Sequence, residues 1–309
     1  MTFANQQVLV FDVGGSHIAA GVFDPCRKTL GHHNNALVAN AGSPAEILGV
    51  FETLAKDLCA NRASLIGVSV AVPNPFDCEL GISYMQHKYT QLHAVNIRSG
   101  LSRVLGCDAK RIHFLNDAAA FLMGEISQGA ANQVSRAVGI TLGTGVGSAF
   151  ALDGEIVVSG EGVPPDGEIW NFPYRDGTVE DAVSTRAIQK LYLELTGASA
   201  DVSEIARLIT EQPSARETFR RFGKELGNAL RATCAAFAPA RIVLGGGIAR
   251  AGALFLAAAE AELDGLAFSL RLSELDDRAP LVGAGVSWIN AHMPKQVLQR
   301  GGLRSNVEA

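Results

Sequence analysis

Glycines gathered at the ends of apolar runs, and carboxylates set at the ends of such runs, are the residues of this chain that could do chemistry. Asp12 closes the run Val8-Leu9-Val10-Phe11 and leads into Val13-Gly14-Gly15-Ser16. A second glycine turn, Gly143-Thr144-Gly145-Val146-Gly147, follows Ala137–Leu142, and a third, Gly245-Gly246-Gly247, follows Arg241–Leu244. Without a Cβ, glycine lets several backbone N–H groups converge on one concavity and approach an oxyanion closely. One such turn is most often only a hairpin; three, each after a strand, point to a phosphate chain. Asp12 has two readings: a carboxylate that holds magnesium directly or through water, as hard cations prefer, or a turn aspartate accepting backbone N–H bonds. Asp117 follows Asn116 where the run Ile112–Leu115 hands over to an apolar helix. It is either a general base that takes the proton of an attacking hydroxyl or a helix cap.

The elements that must position these residues alternate between strand and helix. Val8–Phe11 and Ile18–Phe23 read as strands joined by the first glycine turn, and Leu65–Val72 as a buried strand. Pro44–Asn61 has helical spacing of apolar residues, with Ser43 as cap and Pro44 in the first turn. A helix from Asp117 to about Gln128 follows, then the strands Ala137–Leu142 and Ser148–Leu152. Helices are expected over Val179–Thr196, Val202–Thr210, Ala215–Ala238 and near Ala253–Glu262. Shifting the chain by 129 positions lays Val8–Asp24 on Ala137–Asp153 without a gap, with Gly14 on Gly143, Ala20 on Ala149 and Asp24 on Asp153. Both copies are strand, glycine turn, strand, which suggests two related lobes, each offering a phosphate hairpin.

Composition narrows the function classes. A net charge of −5 leaves no broad surface for tracking nucleic acid, so DNA or RNA is not an expected partner. No apolar run of membrane-spanning length occurs, and Met-Thr-Phe-Ala-Asn-Gln-Gln lacks the character of a signal peptide; a cytoplasmic protein is expected. The five cysteines are scattered and form no Cys-x-x-Cys pair, and the histidines do not cluster, with His32 and His33 read as part of a loop. A structural zinc is not supported. The P-loop signature is absent, and neither later glycine turn completes Gly-x-Gly-x-x-Gly, which disfavours a Rossmann dehydrogenase.

These motifs together resemble the ROK sugar kinases of the actin-like superfamily. Asp12-Val-Gly-Gly-Ser is similar to the family's first phosphate loop, and Val70-Ala-Val-Pro-Asn-Pro-Phe-Asp to its sugar-side Pro-Gly-Pro segment. Asn116-Asp117-Ala118 resembles its catalytic Asn-Asp-Ala, Thr141-Leu-Gly-Thr-Gly-Val-Gly its second phosphate loop, and Ile242-Val-Leu-Gly-Gly-Gly-Ile its adenosine-side loop. The resemblance implies an α/β, two-lobed, actin-like (ribonuclease-H-like) fold with a cleft between lobes. The first lobe is expected over 1–116, completed by a C-terminal helix near 284–298; the second over 117–283; and a flexible tail over 299–309. It implies a sugar kinase that transfers the γ-phosphate of ATP to a hexose or N-acetylhexosamine hydroxyl, with polyphosphate as alternative donor and a non-catalytic sugar-binding member as alternative function. Repressors of the family carry a helix-turn-helix before the first phosphate loop, which here begins at Asp12.

Carried over residue by residue, the resemblance makes Asp117 the base and Asn116 a sugar contact, and places Asn74 on the sugar side. Gly167-Glu168-Ile169 is similar to the start of Gly-Glu-Ile-Gly-His, and Val179-Glu180-Asp-Ala-Val-Ser184 to Leu-Glu-x-x-x-Ser, so Glu168 and Glu180 inherit sugar contacts. Phosphate or nucleotide contacts fall to Asp12, Gly14, Gly15, Ser16, Thr141, Gly143, Thr144, Gly145, Gly245, Gly246 and Gly247, with magnesium on Asp12. Asn171 stands where the family has a histidine that contacts sugar and zinc, and Phe172–Thr178 replaces the segment with the zinc cysteines, so a zinc-free site and a sugar contact from Asn171 are expected. Ser83-Tyr-Met-Gln-His-Lys-Tyr replaces a sugar loop; His87 and Lys88 are its candidate substitutes, against an ordinary polar loop. A homodimer is expected because relatives commonly form dimers.

Overall fold

The computed structural model describes residues 6–59, 64–86 and 88–293. His87, the tail expected over 299–309 and the last residues of the helix expected near 284–298 lie outside them.

The chain divides into two compact units, 1–127 with 278–309, and 128–277. In the first, β1 (Gln7–Val13), β2 (His17–Asp24) and β3 (Thr29–Leu37) are followed by α1 (Pro44–Leu58), β4 (Leu65–Val72) and a small ribbon, β5 (Phe76–Asp77) with β6 (Ile82–Ser83). Then come α2 (Ile97–Leu105), β7 (Ile112–Asn116) and α3 (Asp117–Gln128). The sheet order is β3-β2-β1-β4-β7; β1 and β2 are antiparallel, as are β2 and β3, while β1, β4 and β7 run parallel. Most residues of β1 and β4 are buried, as expected of parallel strands covered on both faces. Leu9, Phe11, Ile18, Phe51, Val68 and Phe114 form the core of this unit.

The second unit repeats the plan. β8 (Arg136–Leu142), β9 (Val146–Leu152) and β10 (Glu155–Val157) precede a short ribbon, β11 (Pro173–Tyr174) with β12 (Gly177–Thr178). Helices α4 (Val179–Val183), α5 (Thr185–Thr196), α6 (Val202–Arg207) and α7 (Pro213–Cys234) lead to β13 (Arg241–Gly245), α8 (Leu256–Glu262) and β14 (Ser269–Leu272). The sheet order β10-β9-β8-β13-β14 matches that of the first unit, with the same senses of pairing. The sequence echo therefore lies on equivalent strands, β1 with β8 and β2 with β9. The hairpins differ in one detail: Val13 pairs Ile18, but Leu142 pairs Val146, so the second turn is one residue tighter.

The helix α9 (Ala279–His292) returns to the first unit and packs on β1 and β4. A Cβ at Gly67 of β4 would overlap the Trp288 indole, and one at Gly283 the Ala120 carbonyl of α3. The second of these close approaches, with the matching approach of Gly124 to the Ala279 carbonyl, ties α3 to α9, so the contact boundary falls after α3 and not at residue 116. α9 starts at Ala279, earlier than residue 284, with Pro280 in its first turn.

Local chemistry explains the other element ends. Ser43 caps α1 in a capping box with Glu46, and the helix stops at Leu58, short of Asn61. His32 and His33 lie in β3, not in a loop; this exposed edge strand is formed by its ladder to β2 rather than by apolar alternation. The helix expected over Val179–Thr196 breaks at Ser184, whose backbone is extended. The helices expected over Val202–Thr210 and Ala215–Ala238 both end in 3₁₀ turns, and α8 starts at Leu256 after a 3₁₀ stretch from Ile248. Among the described residues no helix is long and apolar enough to cross a membrane.

Candidate functional site

In the first unit the parallel strands β1, β4 and β7 end on one edge of the sheet, and the predicted residues follow them. Asp12 pairs with Ala71, and Val72 with Asn116, so the carboxyl ends are level. Such edges are where open α/β sheets bind ligands. The first glycine turn is closed by a bond from the Gly14 N–H to the His17 carbonyl (3.0 Å), and the Ser16 carbonyl accepts from the Val38 N–H (3.0 Å). A residue to which the sequence assigned no role completes this turn: the Tyr89 hydroxyl donates to the Gly14 carbonyl at 2.5 Å. Tyr89 is fully buried with φ of 48°. Burial, with a further push from the Asp12 carboxylate, lifts its phenol to about 12, so it remains a donor. Tyr89 also delivers its neighbour. The Lys88 Cε lies 3.9 Å from where a Cβ on Gly15 would stand, so this lysine lies against the glycine turn.

Asn74 is exposed just beyond β4, joined to Pro75 by a cis peptide bond. Asn116 and Asp117 are half-buried at the junction of β7 and α3. The Asn116 Oδ1 accepts the Ala119 N–H (3.1 Å), which caps α3, and the Asp117 Oδ1 accepts the adjacent Ala118 N–H (2.8 Å). The capping role weighed for Asp117 thus falls chiefly to its neighbour.

In the second unit the structure brings the remaining two glycine turns together. Gly245 pairs with Thr141 across the parallel β13–β8 ladder. Gly246, at φ 84°, lies so close to the Leu142 backbone that any Cβ would overlap it. Gly143 donates to the Gly145 carbonyl (3.0 Å), while its own carbonyl accepts from both the N–H and the hydroxyl of Thr185 (2.9 Å each). This grip explains the break at Ser184, because the chain must turn there for Thr185 to reach the glycine. Thr144 is exposed at the tip.

Glu168 and Glu180 are held in the same network. The buried Ser148 of β9 donates its hydroxyl to the Gly167 carbonyl (2.7 Å) and accepts the Ile169 N–H (3.0 Å), fixing the backbone on both sides of Glu168. The Glu168 Oε2 accepts the Trp170 indole N–H at 2.7 Å. Glu180, expected only as a sugar contact, lies against the second glycine turn: its Oε2 accepts the Val146 N–H (3.1 Å), and its Oε1 faces Arg186 at 3.3 Å. Its own N–H donates to the Trp170 carbonyl (3.0 Å). Asn171 is exposed at the end of this segment. The ribbon β11–β12 stands where the zinc cysteines were sought, tied to α7 by the Arg175–Glu225 ion pair at 2.8 Å. None of Cys26, Cys59, Cys78, Cys107 and Cys234 is in a disulfide.

Sequence reasoning missed Ser148, Trp170, Thr185 and Tyr89. A serine inside an apolar strand and a tryptophan inside a glutamate motif were the available signals for the first two.

Asp12 has the chemistry for magnesium, a hard carboxylate at a strand end beside a phosphate-type turn; this ion uses one or two carboxylates plus water and substrate phosphate instead of an all-protein cage. Among the described residues there is no group of three or more His, Cys, Asp or Glu that could hold a metal ion.

Comparison with known proteins identifies the family and the fold. The family model of the ROK family matches residues 8–290, and the chain belongs to that family. It is 26% identical to a glucokinase of Thermotoga maritima over 78% of this chain and 82% of the relative. It is 24% identical to the N-acetylgalactosamine kinase AgaK of a Shewanella species, over 77% and 80%. Among solved structures, the ROK hexokinase of Thermus thermophilus superposes with a TM-score of 0.73 at 25% identity, covering 91% of this chain and 97% of that one. The chain shares with it the two-lobed actin-like fold.

Proposed function

We propose that this ROK-family protein is a carbohydrate kinase that transfers the terminal phosphate of ATP to a hydroxyl of a hexose or N-acetylhexosamine, with Asp117 as general base. The observation that carries this reading is the placement of Asp117 on the same sheet edge as Asp12 and the Gly14–Ser16 turn, at the level carboxyl ends of β1, β4 and β7. A proton acceptor and a polyanion cradle on one edge suit phosphoryl transfer, where positioning and charge stabilisation do most of the work.

In the proposed reaction the Asp117 carboxylate takes the proton of the sugar hydroxyl as its oxygen attacks the γ-phosphorus. The new O–P bond forms while the bond to the leaving diphosphate breaks, and the leaving oxygen keeps the electron pair. N–H groups of Gly14, Gly15, Ser16, Gly143, Thr144 and Gly145 hold the phosphate chain, helped by the Thr141 side chain and the Lys88 ammonium; Gly245, Gly246 and Gly247 receive the nucleoside end. Asp12 would hold magnesium, which when bound neutralises charge on the phosphates. Asn74, Asn116, Glu168, Asn171 and Glu180 orient the sugar. The relatives named glucokinase and N-acetylgalactosamine kinase set the range of acceptors to be tried.

The test is an acceptor panel of hexoses and N-acetylhexosamines, each offered ATP or polyphosphate, with the phosphosugar identified by mass. ATP-dependent product with at least one acceptor is expected. Product with polyphosphate alone would overturn the nucleotide half of the reading, and no product with any pair would overturn the kinase assignment.

A further inference from the structure

Of the two tryptophans in the chain, one is used as core and the other is not. Trp288 is 4% exposed, whereas Trp170 is 42% exposed. Leaving an indole face in water forgoes apolar burial, and although a single exposed apolar residue is ordinary, this one is bonded to a carboxylate on a rigid segment, which makes the pair a preformed contact surface. Trp170 is on such a segment. The residue before it is pinned through the Ile169 N–H to Ser148, its own carbonyl accepts the Glu180 N–H, and the Ile169 carbonyl accepts the Phe172 N–H at 3.0 Å. Its polar edge is satisfied by the Glu168 carboxylate, so what remains to be covered is the apolar face.

We infer that Trp170 is a specificity-determining platform for the acceptor, stacking its indole face on the C–H face of a pyranose ring while Glu168 takes the ring hydroxyls. The inference rests on the carbohydrate-kinase reading for its choice of ligand. A pyranose presents two chemistries at right angles, an apolar face of C–H groups and a rim of hydroxyls. The Trp170–Glu168 pair offers the complement of both, an aromatic surface and a carboxylate joined by a 2.7 Å bond that fixes one relative to the other. The same N–H donation makes Trp170 a positioning residue for Glu168. Flexible or acyclic polyols lack the flat C–H face and are expected to bind poorly.

The two tryptophans make the test direct. Sugar is titrated without nucleotide while intrinsic fluorescence is read, and steady-state constants are measured for wild type, Trp170→Phe and Trp170→Ala after thermal melts confirm folding. A saturable emission change is expected in wild type and is lost in Trp170→Phe, which retains only the buried Trp288. Trp170→Ala is expected to raise KM for the sugar about tenfold, the upper range for an aromatic contact, while kcat and the nucleotide KM stay unchanged. Trp170→Phe, which keeps a ring but not the N–H, should fall between. A wild type that phosphorylates sugar with no emission change, together with an unaltered sugar KM in Trp170→Ala, would overturn the inference while leaving the kinase reading intact. Loss of self-association in Trp170→Ala with unaltered sugar KM would overturn it in favour of a protein interface. A saturable emission change without phosphorylation of any acceptor would sustain the platform and sink the kinase.

Discussion

Replacing Ser148 by alanine separates the positioning of Glu168 from the chemistry. The Ser148 hydroxyl is buried and makes two bonds, donating to the Gly167 carbonyl at 2.7 Å and accepting the Ile169 N–H at 3.0 Å. Alanine removes both partners' bonds and leaves a buried N–H and C=O unsatisfied. Each such bond contributes about 1 kcal/mol net, and an orphaned buried group costs roughly 1–3 kcal/mol. A total loss of about 2–3 kcal/mol follows, which for a chain of this size lowers the melting midpoint by roughly 3–5 °C. Function should change selectively. With its backbone loosened Glu168 holds sugar less well, and every ~1.4 kcal/mol of lost binding raises KM about tenfold. The nucleotide KM should not move, because the hairpin ladder between β8 and β9 does not depend on this side chain. Thermal melts and two-substrate kinetics read both effects. An unchanged midpoint, or equal losses for sugar and nucleotide, would refute the reasoning.

Two further outcomes are expected. Lys88→Ala should raise the nucleotide KM about tenfold or more, the scale of a charge-assisted bond, with the sugar KM unchanged; two-substrate kinetics showing the reverse would place Lys88 on the sugar side. His113, bonded to Ser287 at 2.8 Å, is held down from 6.5 to about 4 by burial, then by the neighbouring charges of His292 and Arg98. Because its folded value is the lower one, the native state resists protonation: stability is full above about pH 6.5 and falls as pH drops toward 4, by up to roughly 3 kcal/mol. Denaturant midpoints at about pH 7.5 and about pH 5 should differ less in His113→Gln than in wild type.

Much of the arrangement was legible because local chemistry and tertiary need agreed. The shift of 129 positions could be seen because both glycine hairpins keep their strands in register with their own sheets, and the topology proved equivalent. Ser43, Pro44 and Glu46 announce α1 through capping that works within a single turn. The rest was hidden because its causes are distant in sequence. β3 is polar and exposed and exists through its ladder to β2. The break at Ser184 answers to a bond between Thr185 and Gly143, far upstream. Glu180 matches a sugar motif by spelling, yet its carboxylate meets the Val146 N–H of the second glycine turn, a contact that no local pattern encodes. Tyr89 reaches Gly14 in the same way, from a loop that looked merely polar.

The central claim is that Asp117 deprotonates the sugar hydroxyl. The measurement is kcat of Asp117→Asn at saturating ATP and acceptor, with sugar affinity followed in parallel by binding. Loss of a positioned general base predicts kcat lower by roughly 10²–10⁴-fold with sugar binding retained and the melting midpoint close to wild type. Turnover within a few-fold of wild type would contradict the account, since another group would then be taking the proton.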